Sequence, residues 1–542
     1  MKLLFFSITA VPKLVEPECY YINQYISGSQ AVSKTGNQGT GVFAPKVSVF
    51  KRSKPLSIQD LLFRHFRIYY LALCCISVFL ISSCDSSEKS RIPFDGFWDT
   101  LTPSGINLEE IPENNRFYVD IINGSDTTGD GSISNPWQTL DFVVSEKVST
   151  RDYDTQPVTD GSILIEKNPE APVKSGDVII LREGHYGPLS ITRSSNHSFI
   201  TIRSEDNEMV TFDSIEISSS QFWKIKNVQI TREISGNYDS DYLVRISDHN
   251  FFGPTSNIVM TNCILESASD SSDWTLEDWN TLPSNGVTIS ANHVVFSHNV
   301  LHNVNFGISV TGNFVDILNN EVTNFAGDGL RGLGSDMLFE GNIVKNCYDV
   351  NENHDDGFQS WETEAGSPSR VVLRNNIIIN YTDPNQPFRG QLQGIGCFDG
   401  FYTDWIVENN LIVVDHWHGI TFLGGRNIKI RNNTVVNRDP ASEADPWIRI
   451  GPHKDERESS GCSIINNIAV NSIIATADTI DSSNLLVSDE DLSLFFVDHE
   501  NLDFRPAESS PAIDSANPDE APGYDIEGNQ RDSQPDIGCY EY

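Results

Sequence analysis

Side chains suited to acid–base chemistry are concentrated in one short run of the sequence. Residues 353–362 hold a histidine, two aspartates, a glutamine and a tryptophan. Histidine changes charge near neutral pH, and a neighbouring carboxylate shifts the pH at which it does so. The indole of tryptophan presents an apolar face on which a sugar ring can stack. From this clustering we predict functional roles for His354, Asp355, Asp356, Gln359 and Trp361.

Two further groups carry histidines and cations. His416 and His418 lie two residues apart, so on a strand both rings face one side and can reach one substrate or one metal. Arg449, His453 and Lys454 form the third group, whose continuation, residues 455–457, is interpreted as solvated surface. The predicted catalytic residues are His354, Asp356, His418 and Arg331. The predicted substrate-binding residues are Asp328, Asp355, Gln359, Trp361, Arg389, His416, Arg449, His453 and Lys454.

A regular repeat must position these residues. Asparagine recurs just before an aliphatic-rich run, with a shortest spacing of 21 residues between Asn299 and Asn320. Such a period is typical of a solenoid whose coils hold three short strands, each paired with its counterpart about 4.8 Å away. A buried asparagine at a turn can bond to its counterparts above and below. The predicted ladder is Asn262, Asn299, Asn320, Asn342, Asn376, Asn410, Asn433 and Asn467.

Glycines open a second strand in these coils, at Gly286, Gly307, Gly329 and Gly419. Alignment on this register places Asp328, Asp356 and His418 at one corner. Alternation then predicts that Leu330, Phe358, Ile395, Ile420 and Ile448 point inward. It predicts that Arg331, Gln359, Thr421 and Arg449 point outward into one groove. We expect Asp328 and His418 to lie four coils, or about 19 Å, apart.

Some coils carry extra residues, which on a solenoid usually build one wall of a groove. The four inserted loops are residues 345–356, 362–370, 381–393 and 438–447. Because they fall in nearly consecutive coils, they predict a pocket rather than an open face.

The composition narrows the class of partner. Acidic residues outnumber basic ones 75 to 37, which gives a net charge of −38 and argues against nucleic acid. A polyanionic substrate would need local cations or a bound metal to approach. Cys263, Cys347 and Cys462 stand beside the ladder positions and are predicted to be small buried thiols rather than disulfides.

The N-terminal part of the sequence predicts that the protein is exported. Residues 64–84 have a basic start, a short apolar stretch and the ending Ile-Ser-Ser-Cys, which resembles a bacterial lipobox with Cys84 as the lipidated residue. We expect residues 1–63 to be a misassigned or disordered extension and residues 85–115 to be a linker. Residues 116–480 are predicted as the catalytic solenoid and 481–542 as a cap. The protein would then be lipid-anchored in the periplasm or at the cell surface.

Two segments and the tail carry a family resemblance. Residues 116–140, residues 176–186 and the tail 503–542 resemble secreted right-handed parallel β-helix proteins of the pectate-lyase-like and polysaccharide-lyase-like kind. The resemblance implies an all-β, single-stranded right-handed parallel β-helix that acts on carbohydrate. Calcium is a possible cofactor in such proteins, and the loop from Asp126 to Asp130 is either a calcium loop or a turn. Fold alone does not select the reaction.

The side chains favour β-elimination on a uronic acid. A cation paired with the uronate carboxylate stabilises the enolate-like state while a positioned base removes the C5 proton. The enzyme would be a polysaccharide lyase or an oligosaccharide dehydratase, with ulvan or alginate as expected substrates. One alternative is a glycoside hydrolase that uses paired aspartates. Another is a non-catalytic surface glycan-binding protein. Metal dependence and oligomeric state stay open.

Overall fold

Three parallel sheets wind the described chain into a right-handed parallel β-helix, which confirms the predicted fold class. The structure is a computed structural model, and it describes residues 102–439, 442 and 444–542. The predictions for residues 1–63, for the signal segment 64–84 with Cys84, and for residues 85–101 of the linker lie outside the described residues.

Each full coil contributes one strand to each of three sheets, here called sheets I, II and III. Sheet I has 11 strands, which are Pro188–Thr192, Ser214–Ser218, Tyr242–Ser247, Asn285–Ile289, Ile308–Val310, Leu330–Gly332, Asp356–Trp361, Gln393–Asp399, His418–Leu423, Trp447–Gly451 and Ile473–Ile474. Sheet II has 15 strands, which are Arg116–Val119, Thr150–Tyr153, Leu164–Lys167, Val178–Leu181, Ser195–Ser204, Gln221–Lys226, Ser256–Thr261, Asn292–Ser297, Val315–Leu318, Met337–Glu340, Ser369–Arg374, Tyr402–Glu408, Gly425–Arg431, Cys462–Ile465 and Thr479–Ser482. Sheet III has 12 strands, which are Gly184–His185, Val210–Phe212, Gln229–Thr231, Ile264–Glu266, Val300–Val304, Glu321–Phe325, Ile343–Cys347, Ile377–Ile379, Leu411–Val414, Thr434–Asn437, Ile468–Ala469 and Leu485–Leu486.

Helices are short and lie outside the coils. The α-helical segments are Leu140–Phe142, Leu276–Thr281 and Leu492–Phe495. A π-helical turn spans Val143–Lys147, and 3-10 turns span Leu108–Glu110, Asp489–Asp491 and His499–Asn501. The strands Phe496–Asp498 and Asp503–Pro506 form a separate antiparallel pair. Within the described ranges, no helix is both long and apolar enough to cross a membrane.

Aromatic side chains fill the interior below sheet I. Phe358 packs edge-on against Phe339 with 5.1 Å between ring centroids, and Trp405 packs against Phe422 at 5.5 Å. The indole N–H of Trp405 donates to the carbonyl of Pro368 at 3.1 Å, so its polar group is satisfied. The residues predicted to point inward are all buried, namely Leu330, Phe358, Ile395, Ile420 and Ile448.

A ladder of buried asparagines runs along the turn between sheets II and III. The backbone N–H and the side-chain amide of Asn342 both donate to Oδ1 of Asn376, each at 3.0 Å. The same amide donates to the carbonyl of Ile317 at 2.8 Å, so no polar group of the side chain is left unpaired. Seven predicted members form this ladder, namely Asn299, Asn320, Asn342, Asn376, Asn410, Asn433 and Asn467.

The predicted ladder is wrong at its first member and incomplete at its end. Asn262 is exposed and has a φ of 54°, while Cys263 takes the ladder position and donates its N–H to Oδ1 of Asn299 at 2.9 Å. Asparagine is also favoured at the neighbouring left-handed position, which explains the one-residue error. Asn484 closes the ladder by accepting from the N–H of Asn467 at 2.8 Å. The prediction that Cys263, Cys347 and Cys462 are buried free thiols is confirmed.

The glycines that open the strands of sheet I are required by the close stacking of coils. A Cβ atom on Gly307 would overlap the carbonyl oxygen of Gly329 in the next coil. A Cβ on Gly394 would meet the carbonyl oxygen of Gly419 in the same way. The register therefore has a steric cause that recurs along the helix.

Both flanking segments pack on outer faces of the helix. Ile106 lies against Val259 and Val295 on sheet II, so part of the predicted linker is docked. The C-terminal segment reaches back along sheet III, where Phe504 and Cys539 join a cluster with residues of four coils. The last coil ends with the strand Leu485–Leu486, slightly beyond the predicted end at residue 480.

We expect replacement of Asn342 by Ala to lower the free energy of unfolding by about 1–3 kcal/mol, because buried donors and acceptors in neighbouring coils lose their partners. The exposed Asn262 is the matched control, and because its φ of 54° suits glycine, Asn262→Gly should change that free energy by less than about 0.5 kcal/mol. Urea unfolding followed by circular dichroism measures both. Equal effects of the two substitutions would contradict the role of the ladder.

Candidate active site

The strand Asp356–Trp361 and the loop before it build a polar rung on the outer face of sheet I. His354 Nδ1 lies 2.8 Å from Oδ2 of Asp356, and the Gln359 amide donates to the same oxygen at 3.0 Å. From the next coil, the amide of Gln393 lies 2.6 Å from His354 Nε2. Four side chains from two adjacent coils thus share one hydrogen-bonded network.

The base of this network is buried. The Asp356 side chain is 0% exposed, and its backbone N–H donates to Oδ1 of Asp328 at 3.2 Å. Asp328 is also buried, and its Oδ2 accepts from Nε of Arg331 at 2.5 Å. The guanidinium of Arg331 covers the ring of Phe306 at 3.7 Å. Because Asp328 and Arg331 neutralise each other, the charge nearest the solvent is that of the His354–Asp356 pair.

Burial and hydrogen bonding move the pKa values of this rung upward. Burial raises the pKa of the Asp356 carboxyl, and that of Asp328 is raised for the same reason. The hydrogen bond that the His354 imidazole donates to the Asp356 carboxylate raises the pKa of that imidazole above its ordinary value of 6.5. Because the two groups interact directly, they titrate as a unit.

His416 and His418 lie two coils further along sheet I, and their pKa values are shifted in the opposite direction to that of His354. Their rings are half-buried, with centroids 5.1 Å apart. Burial lowers the pKa of each to about 4, and for His418 the neighbouring His416 and Arg449 lower it further. Both imidazoles are therefore neutral at pH 7.

A hydrogen bond assigns the tautomer of His416. The backbone N–H of His418 donates to Nδ1 of His416 at 3.1 Å, so the proton of His416 is on Nε2. Nδ1 of His418 lies 3.0 Å from Oγ1 of Thr421, an oxygen that also accepts from the indole of Trp447 at 2.9 Å. Because the Thr421 hydroxyl can donate to Nδ1 or accept from it, this contact is compatible with either tautomer of His418. Nε2 of His418 has no hydrogen bond within the described residues.

A cleft of about 450 Å³ joins the two histidine regions and is here called the central cleft. The ring of Phe398 lies between them, 4.8 Å from His418 and 6.2 Å from His354. A Cβ on Gly396 would lie 2.5 Å from Oδ1 of Asp356, so glycine keeps the floor open. The residues that line the cleft are His354, Gln359, Gln393, Phe398, Asp399, His418, Leu423 and Lys454.

The structure brings four of the predicted site residues to the lining of the central cleft and places several others beside it. His354, Gln359, His418 and Lys454 line it. The predicted residues His416 and Arg449 neighbour His418, while Asp356 lies under the rung and Asp328 and Arg331 lie one coil away. His418 is three coils from Asp328, not the predicted four, since only the strands at Asp356 and Gln393 intervene.

Other predicted residues have partners away from the cleft lining. The Arg389 guanidinium covers Tyr381 at 4.6 Å, and His453 pairs with Asp455 at 2.7 Å. Asp355 is buried against the Cys347 thiol, and burial raises its pKa to about 8. Trp361 lies beside Arg331, with 5.6 Å between the guanidinium and the ring. Thr421 faces outward as predicted but is covered by His418 and Trp447.

Sequence reasoning missed four residues of the lining, namely Gln393, Phe398, Asp399 and Leu423. Gln393 pairs with Asp356 in the aligned register, so the alignment contained the signal for it. Phe398 follows from alternation along the strand Gln393–Asp399, whose buried Ile395 and Cys397 point inward. No sequence pattern indicates Asp399. Its place in the lining is seen only in the tertiary structure, where Lys454 pairs with it at 2.5 Å.

The described residues contain no cluster of three or more His, Cys, Asp or Glu side chains arranged to hold a metal. In the loop predicted as a calcium loop or a turn, Oδ1 of Asp126 accepts from the backbone N–H groups of Gln138 and Thr139. Oδ1 of Asp130 accepts from the N–H of Ser132. These bonds are those of a turn.

No family model and no curated protein matches the chain. Similar solved structures include the pectate lyase Pel9A, with 14% identity over 81% of this chain and 100% of that chain and a TM-score of 0.45. A rhamnogalacturonan lyase has 16% identity over 70% and 90%, with a TM-score of 0.38. The GH136 lacto-N-biosidase from Eubacterium ramulus has 11% identity over 69% and 68%, with a TM-score of 0.37. At such distances the likeness concerns the fold, so the reaction has to be argued from the cleft.

Opposite titration of the two histidine regions can be measured by NMR of the imidazole nitrogens. We expect His418 to stay neutral down to about pH 4 and His354 to titrate above its ordinary value of 6.5. In Asp356→Asn the hydrogen-bonded carboxylate is lost, so the pKa of His354 should fall while that of His418 stays nearly unchanged. An unchanged His354 pKa in that variant would show that Asp356 does not hold its charge. Single His→Gln variants assign the resonances.

Proposed function

We propose that the protein is a carbohydrate-active lyase that cleaves a C–O bond of uronic-acid-containing poly- or oligosaccharides by β-elimination. The observation that carries this proposal is the neutral His418 imidazole, which lines a cleft shared with the His354–Asp356 pair and has no hydrogen bond at Nε2 within the described residues. We place the His418 proton on Nδ1, which leaves the lone pair of Nε2 to act as the base. Groups whose environments push their pKa values apart are suited to separate base and acid roles.

The proposed step balances in atoms and electrons. Nε2 of His418 takes the C5 proton of the uronate, and the C5–H electron pair forms a double bond between C4 and C5. The bond from C4 to oxygen breaks, and that oxygen leaves with its electron pair and takes a proton from the His354–Asp356 pair. The products are a 4,5-unsaturated uronate and either a shortened glycan or water, depending on whether the oxygen at C4 belongs to a sugar or to a hydroxyl.

The lining of the cleft supports recognition of the uronate carboxylate. Removal of the C5 proton is easier when that carboxylate is paired with cations and hydrogen-bond donors, because negative charge spreads onto it. Lys454 supplies positive charge, and Gln359 and Gln393 supply amide donors. Lys454 is paired with Asp399 here, and we propose that the uronate carboxylate displaces Asp399 from it.

Burial of the aspartates argues against the hydrolase alternative. Glycoside hydrolysis by two carboxylates requires both to reach the scissile bond. Asp328 is taken up by Arg331, and Asp356 is 0% exposed and bonded to His354 and Gln359. Asp399 is the one carboxylate that lines the cleft within the described residues. A purely binding protein would need no free imidazole lone pair at this position.

Replacement of His418 by Gln should reduce turnover by roughly 10²–10⁴-fold, because the general base is lost. The assay follows the ultraviolet absorbance of the unsaturated product with a panel of uronate glycans that includes ulvan and alginate. His416→Gln is the matched control and should keep most of the activity, because the tautomer of His416 offers no free lone pair. Thermal melting should show little change in either variant.

Three results would refute parts of this proposal. Full activity of His418→Gln would exclude that residue as the base. Glycan cleavage without new ultraviolet absorbance would indicate hydrolysis. Binding of the glycans with no product at all would indicate a non-catalytic protein. When product forms, mass spectrometry separates chain cleavage from the loss of one water.

We also propose that the protein is exported and lipid-anchored through Cys84. The support is the lipobox-like ending of residues 64–84. Labelling of the full chain in a bacterial host with a clickable palmitate analogue should mark the wild type and not Cys84→Ala. Cys263→Ala is the control, since that thiol is buried in the fold. Equal labelling of wild type and Cys84→Ala would refute lipidation at this residue.

A further inference from the structure

Arg449 is a half-buried cation without an acidic partner within the described residues. Its Nε atom is buried without a hydrogen bond, and its guanidinium forms no ion pair there. Arg331 and Arg370, by contrast, are each held by an aspartate. A buried polar group normally has a partner, and an unsatisfied one calls for an explanation.

The position of Arg449 next to the central cleft suggests a ligand as that partner. Arg449 pairs in register with Thr421, and Gly451 pairs with Leu423, a residue of the cleft lining. A Cβ on Gly451 would lie 3.3 Å from Arg449 Nε and 3.2 Å from Leu423 Cδ2. The guanidinium therefore lies over Gly451 at the edge of the cleft, one coil beyond His418.

Two tryptophans form a wall at the same edge. The Trp447 ring lies 5.7 Å from the Arg449 guanidinium and is held by its indole hydrogen bond to Thr421. Trp417 is nearly parallel to Trp447, at 21° and 6.3 Å, and is 46% exposed. The Trp417 carbonyl accepts from the N–H groups of Gly419 and Trp447, so its backbone is fixed while its ring faces solvent.

We propose that Arg449, Trp447 and Trp417 form a second sugar subsite, which binds a sugar bearing an oxyanion, either a carboxylate or a sulfate ester. A guanidinium offers two parallel N–H donors that match the oxygens of such a group, and the indoles offer an apolar face for the ring. In the context of the proposed function, this sugar is the neighbour of the uronate that reacts at His418. The substrate class is then a glycan with an anionic group on each of two adjacent units.

Binding can be measured separately from catalysis. The full-length His418→Gln protein is titrated with glucuronate, with glucose 6-sulfate and with glucose as the neutral reference, by calorimetry and tryptophan fluorescence. When the substitution Arg449→Gln is introduced into this protein, the binding of one or both anionic sugars should weaken by roughly 10- to 100-fold. This is the effect expected from the loss of a charge-assisted hydrogen bond. Glucose binding should be unchanged. The anionic sugar whose binding is weakened shows whether the subsite prefers a carboxylate or a sulfate ester.

Two further variants keep the test decisive. Arg449→Lys preserves the charge without the planar fork and should retain part of the anion affinity. Arg426→Gln removes an exposed arginine that covers Phe401 on sheet II, and it should alter no affinity. Trp417→Ala should weaken the binding of the anionic sugars and of glucose to the same extent, because it removes the apolar face and not the charge.

The outcomes separate this subsite from the proposed reaction. Unchanged binding of both anionic sugars in Arg449→Gln and Arg449→Lys would overturn the subsite. If uronate glycans then still gave unsaturated product with wild-type His418, the proposed function would stand without it. If Arg449→Gln lost anion binding but no glycan gave unsaturated product, the subsite would stand and the proposed reaction would fall.

Discussion

The stacking of each coil on the next is the constraint on which the rest of the structure depends. Parallel strands repeat about every 4.8 Å, so every side chain has a counterpart directly above and below it. The asparagine ladder fixes this register from inside, because the amide of Asn342 accepts from Asn320 in the preceding coil and donates to Asn376 in the next coil and to the carbonyl of Ile317. The glycine column fixes it from the corner, where a Cβ would strike the neighbouring backbone. A slip of one residue would break both.

This register also creates the electrostatic contrast in the cleft. Stacking places the buried Asp356 between the coils of Asp328 and Gln393, and the carboxylate of Asp356 is bonded to His354 and Gln359 on the outer face. The carboxylate raises the pKa of that imidazole, whereas His418, against Phe398 and Trp447, has no acid beside it and its pKa is lowered. The same fold therefore places one histidine with a raised pKa and one with a lowered pKa on a single face, and this contrast underlies the proposed elimination.

Net charge and local charge act in opposite directions in this protein. A chain with a net charge of −38 repels polyanions at a distance. Most of its buried or half-buried arginines are bound by acids, as Arg331 is by Asp328. Near the cleft, Lys454 is paired with Asp399 and His354 with Asp356, while Arg449 has no acidic partner within the described residues. Recognition of an acidic glycan would then depend on short-range contacts at this edge, and salt should affect it less than it affects diffuse attraction.

The sequence by itself determined the coil, the inward and outward faces, and most of the ladder, because these follow from local periodicity and from residue types that pack or hydrogen-bond in only one way. It misplaced Asn262 because asparagine suits two adjacent turn positions, and it counted one coil too many between Asp328 and His418 because loop lengths hide the number of coils. Only the tertiary structure decided which polar residues face solvent. It buried Asp355 and Asp356, turned Arg389 and His453 to other partners, and brought Asp399 to Lys454. Burial and charge depend on neighbours that are distant in sequence, and these set the protonation states on which the chemistry rests.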